Sequence, residues 1–94
     1  MSDPATVKSS RFLVEIYSKP GCHLCDEAKE VLIKAKKKFD MEIKEINIEE
    51  DHELFQKYRY DIPVIWINGR KAYKYRIDPA DLHRRLEKEI SSGR

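Results

Sequence analysis

The only two cysteines of the chain, Cys22 and Cys25, are separated by two residues. They follow an apolar run and begin a segment whose apolar residues recur at helical spacing, so the pattern predicts a strand, a turn and a helix from Cys22. Unpaired N–H groups and the positive dipole end of a helix N-terminus favour a thiolate. Cys22 is therefore the predicted nucleophile. Cys25, about one helical turn away, is the predicted thiol that resolves a mixed disulfide.

Length and composition restrict the class of protein that carries these thiols. The 94 residues fit one domain, and charged residues make up 38% of the chain but leave a formal net charge of only +2. This balance predicts neither a nucleic-acid partner nor a membrane partner. The sequence shows no apolar run near the length of a membrane span and no secretory signal at its start, so the expected location is cytoplasmic. A dithiol in that reducing compartment is typically catalytic or metal-binding.

Residues 1–10, which are mostly small, polar or charged and show no periodicity, are predicted to be a disordered leader that precedes the domain. Seven elements follow in the order βαβαββα. They are strands at 12–17, 41–48, 64–67 and 70–77, and helices that begin at Cys22, Glu49 and Pro79. A strand–helix–strand unit requires a parallel pair, whereas a hairpin adds antiparallel strands. The predicted fold class is α/β, a four-stranded mixed sheet flanked by helices.

Local signals define the connections at the end of the domain. Asn68-Gly69 is a strong hairpin-turn signal, and Asp78-Pro79 supplies a helix N-cap followed by proline at the first helical position. In the last predicted strand, aromatic and apolar residues alternate with mostly charged ones. This alternation predicts one buried face formed by Tyr73, Tyr75 and Ile77.

With these elements in place, the chain resembles the thioredoxin-fold superfamily, and more narrowly the glutaredoxin-like proteins, over about residues 11–92. Two motifs carry the resemblance: Lys-Pro-Gly-Cys-His-Leu-Cys at 19–25 and Asp-Ile-Pro-Val at 61–64. The resemblance implies a thioredoxin-like fold in which Pro63 is cis and lies opposite the reactive thiol. It also implies that the backbone of Ile62 pairs with an extended segment of the substrate. Lys19 matches a basic family residue that stabilises the thiolate or meets a glutathione carboxylate; a solvated surface lysine is the alternative.

The resemblance implies a thiol–disulfide oxidoreductase that reduces protein disulfides or glutathione mixed disulfides. No tightly bound cofactor is expected; glutathione is the expected co-substrate, and a disulfide reductase is the alternative electron donor. Both electron donors remain alternatives because many glutaredoxins carry a Gly-Gly pair in the stretch that corresponds to residues 74–79. This stretch of the chain contains no Gly-Gly pair. His23-Leu24 also replaces the family's common Pro-Tyr pair, so that His23 either favours the neighbouring thiolate or points to solvent.

Metal handling is the alternative use of the same two thiols. A structural zinc site needs two more ligands at suitable spacing, and the three histidines are scattered, at His23, His52 and His83. The last element of a soft-metal chaperone domain is a strand, whereas the last predicted element of this chain is a helix. An iron–sulfur carrier would use Cys22 from two subunits together with glutathione, and the second cysteine argues against it. No metal ligands are therefore predicted.

Overall fold

The computed structural model describes residues 12–92, so the predicted leader at 1–10 lies outside the described residues. The predicted order βαβαββα is confirmed, with a short 3₁₀ turn added before the second helix. The elements are β1 Phe12–Ser18, α1 His23–Lys36, β2 Met41–Asn47, the 3₁₀ turn Ile48–Glu50, α2 His52–Tyr58, β3 Val64–Ile67, β4 Arg70–Lys74 and α3 Pro79–Ser92. None of the helices in this part of the chain is long and apolar enough to cross a membrane.

The four strands form one mixed sheet in the order β2-β1-β3-β4. β1 pairs in parallel with β2 and antiparallel with β3, and β3 pairs antiparallel with β4. The nearly continuous apolar sequence of β1 agrees with its interior position, because α1 and α3 pack on one face of the sheet and α2 packs on the other. The sheet predicted from the sequence is therefore confirmed, and β1 delivers the chain directly to the cysteines.

Alternate residues of the sheet enter two separate hydrophobic clusters, as the period of two in a strand requires. The larger cluster lies under α1 and α3, and its buried members include Val14, Ile16, Leu32, Ile65 and Leu86. The smaller cluster lies under α2 and next to the cysteines, and its buried members are Cys25, Ile48, Tyr58, Ile62 and Val64. The smaller cluster therefore links the core to the predicted site.

Two predicted elements are shorter than the sequence pattern indicated. The helix predicted from Glu49 is interrupted at Asp51, whose extended backbone and side chain cap α2. The last strand ends at Lys74 instead of Ile77 because Tyr75 adopts a positive φ of 71°. The predicted buried face is consequently wrong at Tyr75, which is exposed.

The predicted hairpin turn carries a long-range contact in addition to its local geometry. Asn68 and Gly69 have φ of 51° and 83°, as a turn with two left-handed residues requires. The Asn68 side-chain oxygen accepts a hydrogen bond from the Leu13 N–H at 2.9 Å, and the Asn68 N–H donates to the Leu13 oxygen at 2.8 Å. The turn therefore stabilises both the β3–β4 hairpin and the start of β1.

We expect Asn68→Gly to lower the free energy of unfolding by about 1 kcal/mol, because glycine keeps the backbone conformation but leaves the Leu13 N–H without its side-chain acceptor. Asn68→Ala should cost about 1 kcal/mol more, since alanine disfavours a positive φ. Urea denaturation of both variants measures the two effects separately. Equal stability of the glycine and alanine variants would contradict the conformational part of this prediction.

Candidate active site

The two cysteines lie at the start of α1, as the sequence predicts. Gly21, with a φ of 76°, turns the chain after β1, and Cys22 then takes an extended N-cap conformation. The Cys22 sulfur accepts a hydrogen bond from the Cys25 N–H at 3.2 Å, and the two residues are joined in a disulfide. Reduction of that disulfide would leave the Cys22 sulfur at a helix N-terminus, which is an environment that favours negative charge.

The two sulfur-bearing residues differ in their access to solvent. Cys22 is half-buried, whereas Cys25 is only 1% exposed and belongs to the smaller hydrophobic cluster. An incoming disulfide can therefore approach Cys22 more easily than Cys25. Solvent access and the position at the helix N-terminus both favour Cys22 as the attacking group.

The segment before β3 packs against the cysteines. The Ile62–Pro63 peptide bond is cis, so the conformation implied by the family resemblance is confirmed. Ile62 shares the smaller cluster with Cys25, and Cys22 packs against that cluster. The Pro63 oxygen accepts a hydrogen bond from the Tyr75 N–H at 2.8 Å, whereas the Ile62 backbone makes no hydrogen bond within the described residues. The backbone N–H and oxygen of Ile62 are thus unpaired within the described residues.

Aromatic side chains line the sheet beside the disulfide. The Tyr17 ring contacts Tyr58 edge to face, with 5.1 Å between centroids, and tilts against Trp66 at 5.7 Å. Burial, with the neighbouring Tyr58 as a smaller cause, raises the pKa of Tyr17. The Trp66 Nε1–H has no partner in the described residues. These rings provide a rigid packed base for the site, and the single tryptophan lies within it.

The sequence allows two alternative roles each for Lys19 and His23, and the structure places the two side chains in different surroundings. Lys19 is half-buried and makes no ion pair within the described residues; it lines a small pocket of about 110 Å³ behind the cysteine turn. The His23 side chain is 85% exposed, and its Nε2 lies 2.9 Å from the Glu27 carboxylate. The solvent-facing alternative for His23 is therefore the observed one.

A polar network that the sequence did not predict supports the cysteine turn from behind. The hydroxyl of Ser18, a residue that is only 1% exposed, donates to Glu45 at 3.1 Å, and the Lys29 ammonium donates to the same carboxylate oxygen at 2.9 Å. The Lys29 hydrogen bond is the main cause that lowers the pKa of Glu45, and the Glu45 hydrogen bond raises the pKa of Lys29. The network connects β1, α1 and β2. Its members are distant in sequence, so no local signal reveals it.

We expect Glu45→Gln to lower the free energy of unfolding at neutral pH by about 0.5 kcal/mol, because the Lys29–Glu45 pair is half-exposed and screened by solvent. The folded pKa of Glu45 lies below its ordinary value of 4.5, so its stabilisation is present above that value. The stabilisation is lost as the pH falls through the folded pKa.

Urea denaturation at neutral pH and at about pH 2.5 tests this dependence. The difference between the wild type and Glu45→Gln should shrink at the lower pH. Glu30→Gln, which removes an exposed carboxylate of α1 that forms no ion pair in the described residues, serves as the control. A difference that grows on acidification would contradict the assignment.

The described residues contain no group of three or more histidine, cysteine or carboxylate side chains arranged to hold a metal ion. Both cysteines and all three histidines of the chain lie within this part.

The sheet order, the disulfide at the start of α1 and the cis-proline before β3 together define a thioredoxin fold. Oxidised mitochondrial thioredoxin 3 from Saccharomyces cerevisiae has the same fold, with a TM-score of 0.61 and 16% identity over 88% of this chain and 83% of that one. The family model described as "Glutaredoxin-like domain (DUF836)" matches residues 13–87. The chain belongs to this glutaredoxin-like family.

Two further relatives agree with the family. The glutaredoxin-like protein YDR286C homolog of Dictyostelium discoideum is 32% identical over 80 residues, which cover 79% of this chain and 74% of that protein. The X-ray structure of protein XcR50 from X. campestris has a TM-score of 0.67 and 28% identity, over 80% of this chain and 96% of that one. The family membership and the close cysteine pair support a redox function.

Proposed function

We propose that this protein is a dithiol oxidoreductase that reduces disulfides of protein substrates. The observation that carries the proposal is the asymmetry of the cysteine pair: a half-buried Cys22 caps α1, and Cys25 is buried directly behind it. A metal-binding role gives no reason for one of the two thiols to be accessible and the other enclosed. A nucleophile must be reached by the substrate, whereas a resolving thiol only has to reach the nucleophile, so the difference suits these two roles.

The proposed reaction transfers two electrons to the substrate. The Cys22 thiolate attacks one sulfur of the substrate disulfide, which breaks the S–S bond, releases the first substrate thiolate and leaves a mixed disulfide on Cys22. The Cys25 thiolate then attacks the Cys22 sulfur, breaks the mixed disulfide and releases the second substrate thiolate. The product is the Cys22–Cys25 disulfide, and the enzyme has lost the two electrons that the substrate gained.

Ile62 and Lys19 have proposed roles in substrate binding. The unpaired backbone N–H and oxygen of Ile62 lie beside the cysteines, so an extended substrate segment can pair with them as with the edge of a sheet. Pro63 keeps this segment in place through its buried ring and its hydrogen bond from Tyr75. Lys19, which has no carboxylate partner in the described residues, is a cation available to the Cys22 thiolate or to a substrate carboxylate.

The electron donor that reduces the Cys22–Cys25 disulfide is proposed to be glutathione, with a disulfide reductase as the alternative. The departure from the Gly-Gly pattern has a structural counterpart: Tyr75 and Arg76 stand after β4, and Asp78 caps α3 with its Oδ1 at 3.0 Å from the Ala80 N–H. These side chains occupy the region after β4, so the alternative donor needs a direct test.

Intact mass spectrometry across a series of reduced-to-oxidised glutathione ratios tests the proposal. We expect conversion between the dithiol and the intramolecular disulfide with a definable midpoint, since Cys22 at the N-cap and Cys25 in the first turn of α1 are neighbours on the same helix end. A transient glutathione adduct would support glutathione as the donor. Thiols that stay reduced at every ratio, or a metal retained in the native mass, would favour metal handling instead.

The order of attack is tested with two single variants. Cys25→Ser should accumulate a mixed disulfide on Cys22 when the reduced protein meets a peptide disulfide, because the resolving thiol is missing. Cys22→Ser should lose turnover altogether. Mass spectrometry of the trapped adduct and the rate of substrate reduction are the two measurements.

Because Cys25 is buried, Cys25→Ala is the control for a hydroxyl placed in an apolar cluster. Both Cys25 variants should trap the same adduct. Turnover by Cys22→Ser, together with loss of turnover in both Cys25 variants, would reverse the assigned order.

A further inference from the structure

Three exposed side chains lie next to the cis-proline segment: Arg59, Tyr60 and Tyr75, here called the Tyr–Arg surface. Tyr60 is 77% exposed and Tyr75 is 40% exposed, and Arg59 is exposed at the C-cap of α2. Tyrosine and arginine are enriched where proteins bind their partners, because each combines a large contact area with a polar group. The composition of this surface is therefore that of a contact site.

Tyr75 connects the Tyr–Arg surface to the free backbone of Ile62. The Tyr75 N–H donates to the Pro63 oxygen at 2.8 Å, and its hydroxyl donates to the Tyr60 oxygen at 3.2 Å, with the Asp61 carboxylate at 3.3 Å. The two ends of Tyr75 thus contact residues on both sides of Ile62. Tyr75 therefore lies alongside Ile62.

Arg59 adds an oriented positive charge to the same surface. Its guanidinium stacks on Tyr60, 4.8 Å from the ring centroid, and on Phe55 at 5.5 Å. Phe55 in turn packs against the smaller cluster, which Cys22 also contacts. No carboxylate of the described residues pairs with Arg59. Stacking therefore holds the Arg59 cation beside Tyr60, with its hydrogen-bond donors free of an ion pair within the described residues.

The neighbouring carboxylates, in contrast, have cationic partners. Asp61 lies 3.8 Å from the Lys74 ammonium, and Glu27 lies 3.9 Å from the Arg76 guanidinium. Arg59 consequently dominates the unpaired charge of the Tyr–Arg surface. The complementary ligand is anionic.

We propose that the Tyr–Arg surface binds an extended, acidic segment of a protein substrate, next to the disulfide that the enzyme reduces. A carboxylate of the bound segment pairs with Arg59. The backbone of the segment pairs with Ile62, and its side chains pack against Tyr60 and Tyr75. Tyrosines provide such contact area at low cost in conformational entropy. This inference rests on the proposed disulfide reduction and adds the class of substrate.

Two peptide disulfides of equal length, with glutamates or lysines flanking a central cysteine, test the inference. The pre-reduced protein is mixed with each peptide, and the second-order rate of its oxidation is measured without any external donor. We expect the acidic peptide to react faster, with an advantage that decreases as salt is added. Arg59→Gln should lower the acidic-to-basic rate ratio by about three- to fivefold. Because each ratio compares the two peptides with the same variant, a general loss of activity by that variant leaves the ratio unchanged.

Two variants serve as controls for Arg59. Lys57→Gln removes a cation of the same helix that stacks on Tyr58 instead of Tyr60, and it should keep the wild-type ratio. Arg59→Lys keeps the charge but loses the planar stack, so its ratio should fall between those of the wild type and Arg59→Gln. An equal effect of Lys57→Gln and Arg59→Gln would mean that only net charge matters, which would overturn the inference.

A third variant tests the aromatic part of the surface. Tyr75→Gly adopts the positive φ without strain and removes the ring, so oxidation by both peptides should slow more than oxidation by hydroxyethyl disulfide. An equal loss with all three substrates would show that Tyr75 serves the fold and not the docking of a peptide.

The outcomes separate this inference from the proposed function. Equal rates for the two peptides with the wild-type protein would overturn the acidic substrate class while leaving disulfide reduction intact. No oxidation by any disulfide would remove the proposed function itself. If Arg59→Gln slows only the reaction with glutathione disulfide, the surface binds that tripeptide and not a protein segment.

Discussion

The position of the disulfide at the junction of β1 and α1 is the constraint on which the rest of the site depends. β1 is the central strand, so its end is fixed by partners on both sides, and the turn at Gly21 leads directly to the N-cap of α1. The hydrogen bond from the Cys25 N–H to the Cys22 sulfur then joins the reactive group to the helix itself. The same polar groups that begin the helix are those that favour a thiolate, so folding and reactivity share one interaction.

The division of the core into two clusters explains how a small domain combines a rigid sheet with an accessible site. The larger cluster fixes α1 and α3 on one face of the sheet and contains neither cysteine. The smaller cluster encloses Cys25 and positions Ile62, while leaving Cys22 half-buried at its edge. A substitution that loosens the smaller cluster would therefore disturb the site before it disturbs the fold.

The sequence predicts the elements and the two redox motifs because their signals are local. The cysteine spacing, the Asn68-Gly69 turn and the Asp78-Pro79 cap each depend on neighbouring residues, and periodicity reports the buried faces. The positions of Glu45 and Lys29 depend instead on the pairing of β2 with β1 and on the packing of α1, which no window of sequence contains. The backbone conformation at Tyr75 is equally non-local, since its N–H donates to the Pro63 oxygen, and it accounts for the incorrect prediction at Tyr75 by ending β4 at Lys74.

Tyr75 shows how a departure from local preference connects to function. A non-glycine residue at a φ of 71° costs about 1 kcal/mol or more, and glycine would avoid this cost. The hydrogen bonds of Tyr75 to Pro63 and Tyr60 offset part of that cost, but a glycine could make the first of them through its own N–H. What glycine cannot supply is the aromatic ring beside the free backbone of Ile62. Under the proposed function, the ring beside Ile62 gives this strained conformation a role, since the proposed substrate segment would contact it there.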